Sequence, residues 1–390
     1  MRPQDALPDG LPVALPDAVR EALLAPLVDH HCRGVRRDDL ARARFEPLIT
    51  ESDSPAPPGT THFDTPAGAA IRRWCAPLLD LEPHAPPAVY LARRSELGPE
   101  DVNRRLLRGA GTAAFLVETG SEAPEMLSAA EMGRYGGAAV DEIIRIEQTE
   151  HEVAETADSG VAYIAALETE LADRAARAAA LTSAIAHRHG LDFDPARPSR
   201  GAVIAAANRR LADPKEPLTD PVLLRHLLWT AVEVARERGL PLRFHTGYGG
   251  RDAALHRADP ALLAAFIRAL QPMGVPVILL GCYPFHRQAA CLAGAFPHVY
   301  VDAGLALTRA GAGAATVIGE LLELVPFHKQ LFGSHGGGVA ETCYLGALHY
   351  RRGLARALAQ RLAADEWSPA DAARVAYLVG SGNARRLYRL

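Results

Sequence analysis

Lysine is all but missing from this chain. Lys215 and Lys329 are the only two in 390 residues, although Lys and Arg together number 42. With so much arginine and alanine, the composition has the look of a GC-rich, bacterial coding bias. The arginines are spread among 46 acidic residues, for a net charge of -4, and form no basic block. Nucleic acid is therefore not an expected partner. Cysteine is also scarce: Cys32, Cys75, Cys282, Cys291 and Cys343 are scattered, with no C-x-x-C pair. That excludes a disulfide framework and a thiolate zinc site, and it fits a reducing cytoplasm. No apolar run is long enough to span a bilayer, and the N-terminus lacks a basic start followed by an apolar core. The expectation is a cytoplasmic protein with no membrane partner. No repeat of solenoid length is visible.

What is present is the balance of a globular protein, 48% hydrophobic and 23% charged, long enough to bury a full core. Short apolar runs alternate with Ala/Leu/Arg-rich helical runs. Strands are expected at Leu27–Arg33, Ala114–Thr119, Ile143–Gln148, Ala179–Ile185, Leu242–Thr246, Val277–Cys282, Val299–Ala303 and Gln330–His335. Helical segments such as Pro221–Arg238, Ala261–Gln271 and Ala315–Val325 lie between them. Alternation of this kind implies parallel pairing, and eight such units close into an α/β (β/α)8 TIM barrel. A Rossmann-type sheet is the rival, but no G-x-G-x-x-G opens a helix after the first strand. The whole chain, 1–390, reads as one barrel domain with an N-terminal arm over 1–20. Residues 36–110 form a helical insertion, either a lid over the barrel mouth or a packing element on its side.

In such a barrel the chemistry sits at the C-terminal ends of the strands. Strand 1 ends Asp29-His30-His31-Cys32-Arg33, where a regular pleat puts His31 and Arg33 on one face and His30 and Cys32 on the other. Strand 5 ends in His245 followed by Thr246, Gly247 and Tyr248, strand 6 runs into Gly281, Cys282, His286 and Arg287, and strand 8 ends in Ser334 and His335. Three imidazoles, His31, His245 and His335, converging on one rim would form a first shell for a divalent metal. With 15 histidines in the chain, any one of them alone reads more readily as a hydrogen-bonded structural residue. Ser334 and Cys32 each adjoin a histidine but point away from it, and Cys282 reads as an inert buried thiol. Gly336-Gly337-Gly338 could cradle a phosphate through its amides, or simply make a turn.

At these residues the chain resembles the amidohydrolase-related family (the "amidohydrolase 2" branch), and in particular the hydrolase half of glutamine-synthetase-fused amidohydrolases. The likeness runs through Val28–Val35, Arg72-Arg73-Trp74-Cys75, Gly190-Leu191-Asp192-Phe193, Pro241–Gly249, Leu279–Arg287, Val299–Leu305, Glu341–Gly346 and Asn383–Tyr388. It implies a metal held by an H-x-H pair on strand 1, a His on strand 5 and an Asp on strand 8, with a His on strand 6 and at times a Lys on strand 4. Here His31 and His245 match, but the second strand 1 position is Arg33, strand 6 offers Gly281, and strand 8 offers His335. The strand 4 position is Thr182, and the Asp that often follows strand 5 is Gly250. Gly281 supplies no ligand, and Arg33 is a permanent cation that cannot coordinate.

The resemblance leaves either one divalent metal, zinc first, on His31, His245 and His335, or none, with these histidines acting directly as acid and base. Arg33, Arg188, Tyr248, His286 and Arg287 give the rim a cationic, hydrogen-bonding character that suits a small carboxylate- or phosphate-bearing molecule. The alternative is that Arg188 and Arg287 pair with structural carboxylates such as Asp302 or Glu147. The expected activity is C–N bond hydrolysis on a small anionic substrate, or decarboxylase or lyase chemistry. The other reading is a pseudoenzyme of the same fold that binds a ligand or partner protein. A homo-oligomer is a further expectation by analogy.

Overall fold

The computed structural model describes residues 11–52, 54–119, 124–251 and 253–390. Residues 1–10 of the expected N-terminal arm lie outside the described residues; the helix Asp17–Leu24 then leads into the first strand.

Eight strands form one parallel sheet in sequential order. They are β1 (Leu27–Arg33), β2 (Thr112–Thr119), β3 (Ala139–Arg145), β4 (Ala178–Ser183), β5 (Leu242–His245), β6 (Val277–Leu280), β7 (Val299–Asp302) and β8 (Gln330–Leu331). The β8 backbone runs on beside β1, with His30 N to Phe332 O at 3.1 Å, His335 N to His31 O at 3.0 Å and Arg33 N to Gly336 O at 2.7 Å. The expected TIM barrel is therefore what the chain forms. The ladder between β7 and β8 is two residues long, which is why the expected strand through His335 is mostly irregular backbone. β3 begins four residues before its expected start, with Asp141 and Glu142 inside it. Those charges interrupt the apolar run and hide the strand from a reading by hydrophobicity.

Side chains on the inner face of the barrel form their own small core, among them Val28, Leu116, Ile143, Ala180, Ile278 and Leu280. The C-terminal helix Asn383–Tyr388 adds Ala384 and Tyr388 to it. Its Asn383 holds the end of the chain to β8 through Phe327 O (2.7 Å) and Gln330 O (2.8 Å).

Residues 36–110 build a second hydrophobic cluster outside the barrel. Phe45, Phe63, Leu79 and Leu106 pack there with Phe115 and Val117 of β2 and with Tyr344 and Leu348 of the helix Ala340–Ala363. The helix Pro87–Gly109, kinked at Gly98, is pinned by a buried pair: Arg94 Nε lies 2.6 Å from Glu341 Oε1. Burying two charges requires this mutual satisfaction. Most of the segment is thus a side wall, and Pro47, Leu48, Thr50, Glu51 and Ser52 reach the barrel mouth.

Candidate active site at the barrel mouth

The pleat argument fails at β1, and the reason is local. Pairing with β2 skips register between Asp29 and Cys32, a β-bulge that places an extra residue on the bent strand. As a result both His30 and His31 point into the barrel and both are buried. Cys32 turns outward into the second cluster. His30 Nε2 meets Asp302 Oδ2 at 2.8 Å and its Nδ1 meets the Tyr388 hydroxyl at 2.9 Å. His31 lies among His245 and His335, with ring centroids 5.0 and 4.1 Å away.

The three histidines expected at the rim are therefore brought together, but by partners the sequence reading did not assign to them. Glu118, near the end of β2, has its Oε2 2.8 Å from His245 Nε2 and its Oε1 2.7 Å from Arg145 Nη2. Burial works to raise its pKa, but the charge and hydrogen bond of His245, with Arg145 and Arg243, outweigh it and hold the carboxyl below the usual range. Asp302, ending β7, faces His335 Nε2 at 3.1 Å as well as His30. It also accepts the amides of Gly281 (2.8 Å) and Gly304 (3.2 Å). Burial again opposes ionisation, and His335 and His30 overcome it, so Asp302 stays a carboxylate. The third missed residue is Arg243, fully buried on β5, which donates to His30 O at 3.0 Å and lies against His31 Nδ1. Burial first, then the charges of His335 and Arg243, lowers the pKa of His31 well below its ordinary value.

His335 occupies a tailored slot. A Cβ on Gly281 would lie 3.3 Å from its Cε1, and one on Gly304 would fall 1.8 Å from its Cδ2. Gly281 thus does not leave an empty ligand position: the imidazole of His335 fills the space beside it. The backbone of His335 is left-handed, with φ of 51°, a conformation costing a non-glycine residue on the order of 1 kcal/mol.

A cavity of about 1050 Å³ opens at this mouth. Glu118 and Arg145 lie in its wall, along with Arg33, Arg36, Arg37 and Arg309. Four of these arginines have carboxylate partners: Arg36 with Asp38, Arg37 with Glu131, Arg145 with Glu118 and Arg309 with Glu51. Arg33 is exposed and, among the described residues, pairs with no carboxylate.

The other expected binding residues are not in the wall of this cavity. His286 pairs with Glu320, and Arg287 lies 3.1 Å from Glu320 and 3.2 Å from Glu323, so both clasp the helix Ala314–Leu324 outside the barrel. Of the two arginines for which structural carboxylate partners were the alternative, Arg287 has them, though not Asp302 or Glu147, which serve His335 and Ser183, and Arg188 has none among the described residues. The reason is phase: His286 opens a helix, and its first turn faces the neighbouring helix rather than the mouth. Arg188 is exposed and does not line the cavity, and Tyr248 borders a smaller depression of about 340 Å³ with Glu51 and Ser52. The amides of Gly336, Gly337 and Gly338 are taken by Ser334 Oγ, Thr342 Oγ1 and Gly34 O, leaving none for a phosphate.

A family model described as "Amidohydrolase" matches residues 145–390. The chain belongs to the amidohydrolase family. The matched span covers β4 to β8 and the C-terminal helices, so His245, Gly281, Asp302 and His335 all lie within it. Protein fluG of Emericella nidulans is 28% identical over 218 residues, 53% of this chain and 25% of that protein. The chain therefore matches only about a quarter of that relative's length. A Lactobacillus casei protein, provisionally assigned as a metal-dependent hydrolase, superposes with a TM-score of 0.83 at 23% identity, covering 96% of this chain and 98% of its own. The uronate isomerase of Thermotoga maritima follows the same fold at a TM-score of 0.65 and 12% identity, covering 95% and 97%.

Among the described residues of this amidohydrolase, one group of side chains could hold a metal ion: His31, Glu118 and His245 have ligand atoms within 4.8 Å of one another. Two imidazoles and a carboxylate are an ordinary zinc set. His335, expected as the third ligand, is not in the group, and its Nε2 is occupied by Asp302. The surroundings fit a cation poorly. Both Glu118 oxygens are engaged, His31 Nδ1 faces the Arg243 guanidinium, and Arg145 and Arg243 already exceed the charge of Glu118. A divalent ion bound there would face two guanidiniums against the single carboxylate of its own ligand set.

Proposed function

We propose that this amidohydrolase-family chain is an enzyme that moves protons on a small carboxylate-bearing substrate, most simply in hydrolysis of a C–N bond. The observation that supports this reading is the pair of carboxylate-oriented histidines, Asp302–His335 and Glu118–His245, set on either side of His31. An ionised carboxylate on Nε2 holds the proton there and leaves Nδ1 as the acceptor, which is the arrangement of an oriented general base. In this reading His335 takes a proton from the attacking water on Nδ1 and gives that same proton to the leaving nitrogen, while His31 and His245 lie beside it as hydrogen-bonding groups. Arg33, the cavity arginine without a carboxylate partner, binds the substrate anion. Residues 47–52 of the insertion would act as the adjustable part of the entrance.

A second reading, a pseudoenzyme that binds an anion or a partner without turnover, is favoured by the engagement of His31 and Glu118 with arginines. Decarboxylation of a ring carboxylate is the alternative chemistry on the same groups. The test is a panel of N-acyl and N-carbamoyl amino acids, followed by amine release, with aromatic carboxylates followed by CO2 release. The expected result is turnover that falls on the order of 100-fold or more in kcat for His335→Ala. Carboxylate binding without turnover would establish the pseudoenzyme reading, and absence of both binding and turnover would sink the two together.

A further inference from the structure

Among the described residues the largest fully buried side chains are those of Arg243 and Arg351, and Arg243 stands two residues before His245 on the same inward face of β5. Its Nη1 donates to His30 O, its Nη2 lies on His31 Nδ1, and its Nε has no partner. Among the described residues no carboxylate pairs with it directly. A buried guanidinium in this state is costly, so the fold holds it there by packing rather than by ion pairing. A guanidinium has donors and no lone pair to offer. His31 Nδ1 must therefore be the accepting nitrogen, which fixes the His31 tautomer with its proton on Nε2. That lone pair is then committed and cannot coordinate an ion at the same time.

The lateral neighbours of Arg243 carry the same message. Strand register sets Arg145, Thr182 and Arg243 side by side on β3, β4 and β5. Arg145 Nε, Thr182 Oγ1 and Arg243 Nε are all buried without a partner in the protein. Two permanent cations thus flank the one carboxylate of the cluster, Glu118, on its β3 and β5 sides, and keep spare hydrogen-bonding capacity.

We infer that Arg243 is a built-in cation standing where a metal ion would act, so that this mouth carries fixed positive charge and excludes a divalent metal from His31, Glu118 and His245. Fixed charge of this kind stabilises an anion that forms beside His31 and His245, without ligand exchange.

The experiment is zinc and cobalt(II) titration of the full chain, by calorimetry and by thermal melting, for wild type, Arg243→Gln, Arg243→Met and His31→Ala/Arg243→Gln. Expected are no stoichiometric metal in wild type and an unchanged Tm after chelation. The two single variants should gain at least 10-fold in zinc affinity, and the double variant should lose that gain. One zinc per wild-type chain that disappears in His31→Ala overturns the inference, as do folded Arg243 variants that bind zinc no better than wild type. If the variants do not fold, the nitrogen chemical shifts of His31 in wild type decide. An accepting Nδ1 unmoved by zinc supports the inference, and a zinc-dependent shift overturns it. A metal-free wild type that turns over nothing would leave this inference intact while removing the enzymatic reading.

Discussion

The two sides of the barrel mouth are built on different terms. On the β6–β8 side, Asp302 gathers His30, His335 and two backbone amides around one carboxylate, and Gly281 and Gly304 leave only enough room for the His335 ring. On the β1–β3 side, Glu118 and Arg145 border open space, with Arg33 exposed beside them. One side is over-determined and holds a base in place. The other keeps an uncommitted cation at the cavity wall. A site that must orient a proton acceptor and yet admit a substrate needs both kinds of construction.

The sharpest way to break that contrast is Asp302→Ala. It leaves two imidazoles and two amides without their buried acceptor, and the expected loss is about 3–5 kcal/mol of stability, read by denaturant unfolding. A loss below about 1 kcal/mol would mean that the closed side is not held by this carboxylate.

Next in size is an acid effect behind the same side, where His349 Nδ1 donates to Leu307 O at 2.6 Å. Burial, against the help of that carbonyl and with Arg352 and Arg356 adding to it, lowers its pKa from 6.5 to about 4. The unfolded chain therefore takes up a proton that the folded chain refuses. Its contribution is complete above pH 6.5 and declines as pH falls toward 4. His349→Gln should flatten the stability profile in that window by roughly 3 kcal/mol, following 1.36 kcal/mol per pKa unit. An unchanged slope would show that the group is not buried neutral.

The smallest effects should separate the open side from the outer shell. Arg33→Ala is expected to leave the unfolding free energy within about 0.5 kcal/mol of wild type while weakening carboxylate binding on the order of 10-fold or more. Arg287→Ala, on an exposed ion pair, should cost about 0–1 kcal/mol and leave binding untouched. Equal binding losses in the two variants would erase the distinction drawn between them.

Much of this was legible in the residues. Short β-branched and leucine runs separated by helical segments specify parallel strands, and His31, His245 and His335 were placed at one rim from their positions at strand ends alone. Glu118 and Arg145 were legible in principle, since both stand at or near the end of a strand. In a chain with 46 acidic residues and 42 Lys and Arg, an acid and an arginine at strand ends read as ordinary surface charge until tertiary contacts pair them. Arg243 and Asp302 gave less signal, because a charge within an apolar run reads as an interruption until its partner is known.

The linear sequence determined the barrel, since the period of its apolar runs and their alternation with helices leave few ways to bury them. It also placed Arg33, Gly281 and His335 at or just beyond the strand ends that form this mouth. Only the tertiary structure decided that a bulge in β1 turns both His30 and His31 inward, that Gly281 makes room for His335, and that Arg243 reaches His31. Those outcomes depend on register between strands far apart in the chain and on which atoms share a buried volume, and no local pattern of residues encodes either.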